Sequence, residues 1–477
     1  MNVPSYAFLA FAAVVALAIN LSAKAWRRQA VLLVANLLFV LTFTRDPRQL
    51  APFALLLAAG YGCTKLLERR KSRALFAVLV VALIVAFCAL KRYTFVPSGL
   101  FLPFAYFTVG MSYVFFRLLH LVIDAYQDAL PDRVGPVAYV NYTLNFTSLV
   151  SGPIQFYRDY RRNESERPPA LTGETAAYAL GRIVMGFFKV SIVSPLFGRA
   201  QSALVAAIAP GDPSRAVLAA AIVPGVFLLY LYFNFSGYTD FVIGTARFLR
   251  LELPENFERP FIATGFIDFW GRWHITLANW VKTYVYSPLL LAMMRRYPSP
   301  RVEPLLGVIA YFVAFFFVGV WHGQTSMFLF LGVLLGLGVS VNKLYQILMV
   351  RRLGRARYRT LCANPLYAAC SRGATLGYFA FASLWFWSSW TQLGAFARAL
   401  GPAGLVLAFV LLFAETAVAT TAWKALDDAV RALAAQPQAR TPGRYARLAA
   451  YSALAVLVVS VTVVLNAPAP HIVYRGF

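Results

Sequence analysis

Apolar runs recur from one end of the chain to the other, and they limit its fold more than any other feature. They lie at about 5–23, 30–43, 50–64, 74–90, 101–123, 176–206, 216–243, 305–321, 325–348, 374–390, 401–420 and 448–466. A helix needs about 20 mostly apolar residues to cross a bilayer core. The longer runs therefore read as transmembrane helices, and the ends of the shorter ones are soft by several residues. Two further segments, 136–157 and 261–290, are apolar but broken by Gly, Pro and charge. Irregular backbone at membrane depth is tolerated only inside protein or along a water-filled cavity, so both read as re-entrant or interfacial elements where a site belongs. Composition agrees, with 60% hydrophobic and 13% charged residues against about 25% charged in an ordinary soluble domain. A soluble enzyme, a disordered scaffold and a fibrous protein are excluded. The expected fold is an all-α polytopic integral membrane protein of about 11–14 transmembrane helices plus re-entrant elements, in one integral domain over 1–477. No Lys or Arg precedes the first run. That makes a poor signal peptide and a better retained helix.

The formal net charge is +25, from 44 basic and 19 acidic residues. The basic residues cluster between apolar runs, as in Arg69-Arg70-Lys71 and Arg351-Arg352. Such clusters read as cytoplasmic loop anchors beside anionic lipid, not as a nucleic-acid surface. Loop 351–373 carries Arg351, Arg352, Arg355, Arg357, Arg359 and Arg372 with no acid; loops 65–73 and 424–447 are also net basic. With all three cytoplasmic, both termini fall outside. The cysteines (Cys63, Cys88, Cys362 and Cys370) form no C-x-x-C pair, and the four histidines (His120, His274, His322 and His471) form no H-E-x-x-H. Neither a disulfide framework nor a metal site is expected.

Two constellations carry chemistry. Asp268-Phe-Trp-Gly-Arg-Trp-His274 leads into Trp280 and follows Pro254-Glu-Asn-Phe257, with three Trp, one His, one Asp and one Arg in thirteen residues. On a continuous helix Asp268 and Arg272 would pair at i, i+4, and Trp270 and His274 would share another face. The plain alternative is an interfacial aromatic belt with an anchoring ion pair. The second constellation, Gly319-Val-Trp-His322-Gly-Gln-Thr-Ser326, lies between two strongly apolar runs. An ionisable residue at membrane depth is a functional candidate, and imidazole titrates near neutrality. The plain alternative is a histidine satisfied by a helix–helix hydrogen bond. Arg117, His120 and Asp124 share one helical face and read as a buried structural cluster. Lys189, Asp240 and Glu415 are isolated charges in apolar runs, each lining a cavity or paired with a neighbour.

Taken together, Phe235-Ser-Gly-Tyr-Thr-Asp240, Pro254-Glu-Asn-Phe257, Asp268-Phe-Trp-Gly-Arg-Trp-His274 and Trp321-His322-Gly323, with Ser151-Gly-Pro-Ile-Gln155 upstream, resemble the membrane-bound O-acyltransferase family. The alginate O-acetyltransferase and teichoic acid D-alanyltransferase branches look closest. The resemblance runs over about 104–348, the expected catalytic core, with C-terminal helices and an extracytoplasmic tail over 374–477. It implies that His322 is catalytic and that His274 supports it or positions substrate. By the same resemblance Trp321, Gly323, Asp268, Trp270, Arg272, Trp273, Asn256 and Tyr238 contact substrate. It also implies a ring of helices around a thin centre, with a cytosolic cavity for a thioester donor and an external funnel for the acceptor. The chain departs from the family pattern at Ser326, at Lys282-Thr-Tyr284 and at Leu290 and Leu291, which bears on substrate identity more than on reaction class. The tail His471-Ile-Val-Tyr-Arg-Gly-Phe477 reads as a docking element or a frayed terminus.

Acyl transfer to a hydroxyl needs a base, an oxyanion donor and exclusion of water. His322 fits the first and a wall of Trp321 and Phe328 the third. For the second, backbone N–H groups near Gly323, the indoles of Trp270 and Trp273, and protonated His274 all stand as candidates. Ser326, one helical turn past His322, leaves an acyl-serine route open. The expected function is transfer of an acyl group, acetyl by preference, to an extracytoplasmic polysaccharide, directly or through a partner transferase, in a bacterial inner membrane. The donor is a cytosolic thioester (acetyl-CoA or a phosphopantetheinyl acyl carrier), with no bound cofactor. The alternatives are D-alanyl transfer from a carrier protein to an envelope polymer and, in a different class, a polysaccharide or lipid transporter.

Overall fold

The computed structural model describes residues 1–21, 24–166, 168–209, 211–435, 449 and 452–460. The regular elements among the described residues are helices, with one isolated antiparallel bridge between Phe257 and Trp273. Eighteen α-helices follow in order: α1 Tyr6–Asn20, α2 Ala25–Leu41, α3 Pro47–Arg69, α4 Arg73–Leu90, α5 Met111–Gln127, α6 Pro136–Thr143, α7 Tyr157–Arg161, α8 Gly173–Phe188 and α9 Ser194–Ala207. Then come α10 Pro213–Phe248, α11 Phe266–Trp270, α12 Ile275–Val281, α13 Ser287–Arg296, α14 Glu303–Trp321, α15 Ser326–Ala363, α16 Pro365–Ala382, α17 Leu384–Trp387 and α18 Trp390–Ala435. Among the described residues seven helical stretches are long and apolar enough to cross a membrane, and α1 is a shorter apolar helix. The all-α polytopic reading of the sequence is borne out. The tail from His471 to Phe477 lies outside the described residues.

Local chemistry sets the helix ends. Asp46 caps α3 by accepting from Arg48 N–H, and Ser72 caps α4 by accepting from Leu75 N–H, each satisfying an otherwise orphaned donor. The apolar run 101–123 was expected as one span, but the helix begins only at Met111. Gly110 precedes it at φ +72, and a Cβ there would sit 2.3 Å from the Leu149 carbonyl oxygen. The left-handed turn and the close approach both require glycine.

Two compact units emerge. One comprises Met1–Ser191, Asn234–Glu255 and Leu454–Phe477, the other Ile192–Phe233 and Asn256–Ala453. In the first, Phe8 packs against Phe39, Phe146 and Phe241 with ring centroids 5.6–5.8 Å apart. The broken segment 136–157 shortens to the eight-residue α6 followed by irregular backbone. That backbone is held inside protein: Phe146 N–H donates to Asn36 Oδ1 at 2.8 Å, and Tyr142 Oη donates to the Gln155 carbonyl at 2.8 Å. Arg117, 2% exposed, donates to the carbonyls of Tyr142, Thr143 and Ser148 at 3.3, 2.9 and 2.8 Å. His120 Nε2 accepts from Tyr157 N–H at 3.1 Å. Arg117 therefore ties α5 to this irregular segment and His120 ties it to the start of α7, with Asp124 3.2 Å from His120 Nε2. Two charges that looked isolated are paired, since Asp240 meets Lys189 at 2.6 Å and Arg182 at 2.7 Å. Tyr238 also belongs here, its hydroxyl accepting from Ser151 N–H at 3.2 Å.

Candidate functional site

In the second unit, α14 and α15 form an antiparallel hairpin that cross at glycines. A Cβ on Gly319 would lie 2.2 Å from Gly332 Cα and 2.3 Å from Gly332 N, and one on Gly336 would lie 2.8 Å from the Phe312 carbonyl oxygen. Small residues let membrane helices approach backbone to backbone, and here they fix the end of α14 against α15. His322 caps that end, its N–H donating to the Gly319 carbonyl at 3.1 Å. The backbone of His322 is therefore set by the close crossing of the hairpin. It is 4% exposed. Trp321 lies against one side at 4.8 Å between ring centroids and Phe386 against another at 5.2 Å. Phe328 meets Phe386 edge-on at 5.9 Å. Its ring also fills the space where Gly323 lacks a side chain, because a Cβ at Gly323 would fall 2.1 Å from two Phe328 ring carbons. Sequence reasoning placed Ser326 one helical turn past His322. The structure corrects this: α14 ends at Trp321, a turn intervenes, and Ser326 starts α15 with its hydroxyl accepting from Trp390 Nε1 at 2.9 Å.

His274 is positioned by a different device. Phe257 bridges Trp273, Glu258 N–H donates to the Arg272 carbonyl at 2.9 Å, and Ile275 N–H donates to the Asn256 carbonyl at 3.0 Å. Between these bonds His274 adopts φ +46, ψ +49 as the residue before α12. A non-glycine residue in the left-handed region costs about 1–3 kcal/mol and persists only where its surroundings over-determine it. Asn256 supplies much of that determination. It is fully buried, and its Oδ1 accepts from Thr276 Oγ1 at 2.6 Å and Thr276 N–H at 3.3 Å, capping α12 from across the bridge. The expectation that Trp270 and His274 share one helical face is corrected, since the helix stops at Trp270 and the chain turns at Gly271. His274 meets Trp321 edge-on at 6.5 Å between centroids. The two imidazoles thus both lie against one indole.

The other residues singled out in the sequence divide. Trp273, 1% exposed, stacks on Phe269 at 5.5 Å and meets Phe257 and Phe379 at 5.1 and 5.4 Å. Trp270 packs on Phe315 at 4.9 Å. Trp273→Ala is expected to lower stability by about 3–5 kcal/mol through the cavity it leaves. A detergent-solubilised thermal unfolding midpoint equal to wild type contradicts that core role. Asp268 and Arg272 do pair, at 2.8 Å, and both are partly exposed. Asp268 lines a cavity of about 880 Å³ whose walls include neither histidine. Tyr238 sits in the other unit, as described. Phe386 was missed by sequence reasoning, although Trp385-Phe-Trp387 is an aromatic cluster of the kind singled out elsewhere. Among the described residues no group of three His, Cys, Asp or Glu side chains is arranged to hold a metal ion.

Comparison with known proteins follows this geometry. The model of the membrane-bound O-acyltransferase family matches residues 6–371. The chain is 28% identical over 224 residues to the teichoic acid D-alanyltransferase of Bacillus subtilis, covering 47% of this chain and 56% of that protein. It is 26% identical over 240 residues to the probable alginate O-acetylase of Pseudomonas fluorescens, covering 49% and 44%. Against the teichoic acid D-alanyltransferase of Lacticaseibacillus rhamnosus it is 27% identical over 290 residues, covering 59% and 69%. The chain spans about half the length of the first two of these relatives. The family match covers both histidine motifs and the helices that carry them, so the chain belongs to the membrane-bound O-acyltransferase family.

Proposed function

We propose that the protein is an O-acyltransferase in which His322 acts as general base and His274 assists it. One observation carries this reading: two buried imidazoles flank the indole of Trp321 where a glycine-tight hairpin turns. A hydroxyl of the acceptor gives its proton to His322 as its oxygen attacks the thioester carbonyl. The tetrahedral intermediate collapses, the C–S bond breaks, and the departing thiolate takes the proton from the imidazolium. The product is an oxygen ester and a free thiol. Burial of His322 behind Trp321, Phe328 and Phe386 keeps water from competing for the thioester. Family membership supports transfer over transport.

Acetyl is the preferred acyl group, delivered from a cytosolic thioester to an extracytoplasmic polysaccharide, directly or through a partner transferase, in a bacterial inner membrane with both termini outside. Trp321, Gly323 and Asn256 shape the acyl site, while Trp270 and Trp273 hold the segment that carries His274. D-alanyl transfer from a carrier protein is the second reading, because relatives named for each chemistry match at similar identity. Purified protein given radiolabelled acetyl-CoA, or a D-alanyl carrier protein, with a de-acylated envelope polysaccharide separates them. Acetyl-CoA is expected to be turned over with release of free thiol and label on the polymer, at a rate at least tenfold above D-alanyl donor, a discrimination of about 1.4 kcal/mol. The reverse preference assigns the second reading, and consumption of neither donor rejects both.

A further inference from the structure

The cavity of about 880 Å³ in the second unit is walled by α11, α15, α16 and α18. Its volume lies within the range of about 300–1,000 Å³ usual for small-molecule sites. On one side its wall is the apolar face of α15, where Leu337 is 43% and Val341 62% exposed. An apolar, accessible wall on a membrane-crossing helix faces acyl chains rather than water. At the other end the lining turns polar: the hydroxyls of Tyr345 and Tyr367 are 2.9 Å apart, and Tyr358 lies on the same wall.

The backbone of α15 explains this division. Gly354 breaks the helix at φ +76, ψ +158. Past the break, Tyr358 and Cys362, one turn apart, line the cavity, while Arg355, Arg357 and Arg359 are exposed. Arg355 and Arg359, one turn apart, share the helical stripe of Tyr358 and Cys362, whereas Arg357 points to the other side; the segment thus sets two exposed arginines beside the polar mouth of an apolar hollow. No Asp or Glu occurs anywhere from 304 to 414, so nothing along this stretch of chain neutralises the arginines. Asp268, the acid on the cavity wall, is matched by Arg272 at 2.8 Å.

We propose that this cavity binds one anionic glycerophospholipid of the surrounding bilayer, with an acyl chain between α15 and α16 and the phosphate at Arg355 and Arg359. A water-soluble anion would use the arginines without the apolar wall, and a neutral lipid would use the wall without the arginines. The pairing of the two is what selects an anionic amphiphile. The site lies apart from the two histidines in its lining and does not depend on the acyl-transfer reading.

Native mass spectrometry of the full-length protein in neutral detergent tests this with dioleoyl phosphatidylglycerol, dioleoyl phosphatidylcholine, inorganic phosphate and acetyl-CoA as probes. One phosphatidylglycerol is expected to bind about tenfold or more tighter than phosphatidylcholine, as two nearby arginines imply. The double variant R355Q/R359Q, both at the surface, should erase that preference and leave phosphatidylcholine unchanged, and R357Q alone should leave it intact. Val341→Trp, which narrows the apolar wall, should weaken both lipids. Equal binding of the two lipids by wild type, or a preference that survives in the double variant, overturns the proposal. So does displacement of phosphatidylglycerol by inorganic phosphate alone, or by acetyl-CoA at concentrations that saturate transfer, the latter making the cavity a donor pocket.

Discussion

In His322→Ala, kcat for acyl transfer should fall by about 10²–10⁴-fold, the usual contribution of a positioned general base, while the protein inserts and purifies as wild type does. Location supports the expectation that folding survives. His322 caps α14 through its backbone, and its N–H bond to the Gly319 carbonyl does not involve the side chain. Alanine keeps that bond. What is lost is the ring between Trp321 and Phe386. His322→Gln restores much of the volume without a group able to take a proton at neutral pH, so it should be as inactive as alanine. KM for the thioester should move little in either variant, since a group that acts only in the transition state changes kcat and kcat/KM together. His274→Ala should lower activity less and raise KM as well. Its ring faces the same indole, and its removal also releases a left-handed backbone turn that aligns α12. Full turnover by His322→Ala in a monodisperse preparation removes the base assignment. Equal loss of kcat in both variants with unchanged KM makes the pair a single unit and removes the distinction of roles.

Much of this arrangement was legible in the residues because hydropathy and charge act locally. Runs such as 74–90 and 305–321 became α4 and α14 within a few residues. His322 stood out because an imidazole between apolar runs has no ordinary reason to be there. The misreadings share one physical origin. Periodicity was extended through Gly271 and past Trp321 as though each helix continued, and those are the two places where the chain turns. At Gly271 the turn is made by a bridge to Phe257, fourteen residues earlier in the chain. After Trp321 it is made by the return of α15. Neither partner is visible in a local window. The partners that enclose Trp273 were not legible for the same reason. Phe257 and Phe379, which enclose it, lie on opposite sides of it in sequence and are brought together only by the fold. The Lys189–Asp240 pair illustrates the converse. Both charges were evident, but the glycine that lets α8 and α10 meet there is recognisable only from its contacts, a Cβ on Gly237 lying 2.7 Å from Lys189 Cβ.

Gly319→Val should be strongly damaging, and its effect should reach activity through stability. The added Cβ would lie 2.2–2.3 Å from the Gly332 backbone. Those are main-chain atoms of a facing helix, with no rotamer to yield, so α14 and α15 must separate along their whole crossing. Overpacking a well-fitted interface costs about 1–3 kcal/mol and more where backbone has to move. Contacts of Gly332 and Gly336 with the Phe316 and Phe312 carbonyls, at 2.5 and 2.8 Å from their would-be Cβ atoms, would be lost in the same displacement. A lower thermal unfolding midpoint in detergent, reduced yield of monodisperse protein and loss of turnover are expected together, because the hairpin that loosens is the one that seats His322. Gly62→Val is the control. It also places a β-branched residue in a helix, α3, but its Cβ meets nothing within 4 Å. Its midpoint should stay near wild type, apart from the small propensity difference between glycine and valine. Gly323→Ala distinguishes crowding by a side chain from crowding by backbone. There the obstacle is the Phe328 ring, so the double variant with Phe328→Ala should regain stability, whereas no single partner truncation can rescue Gly319→Val. If Gly319→Val and Gly62→Val unfold at the same temperature, the helices do not meet as closely as the structure has them, and His322 is held by something other than the hairpin.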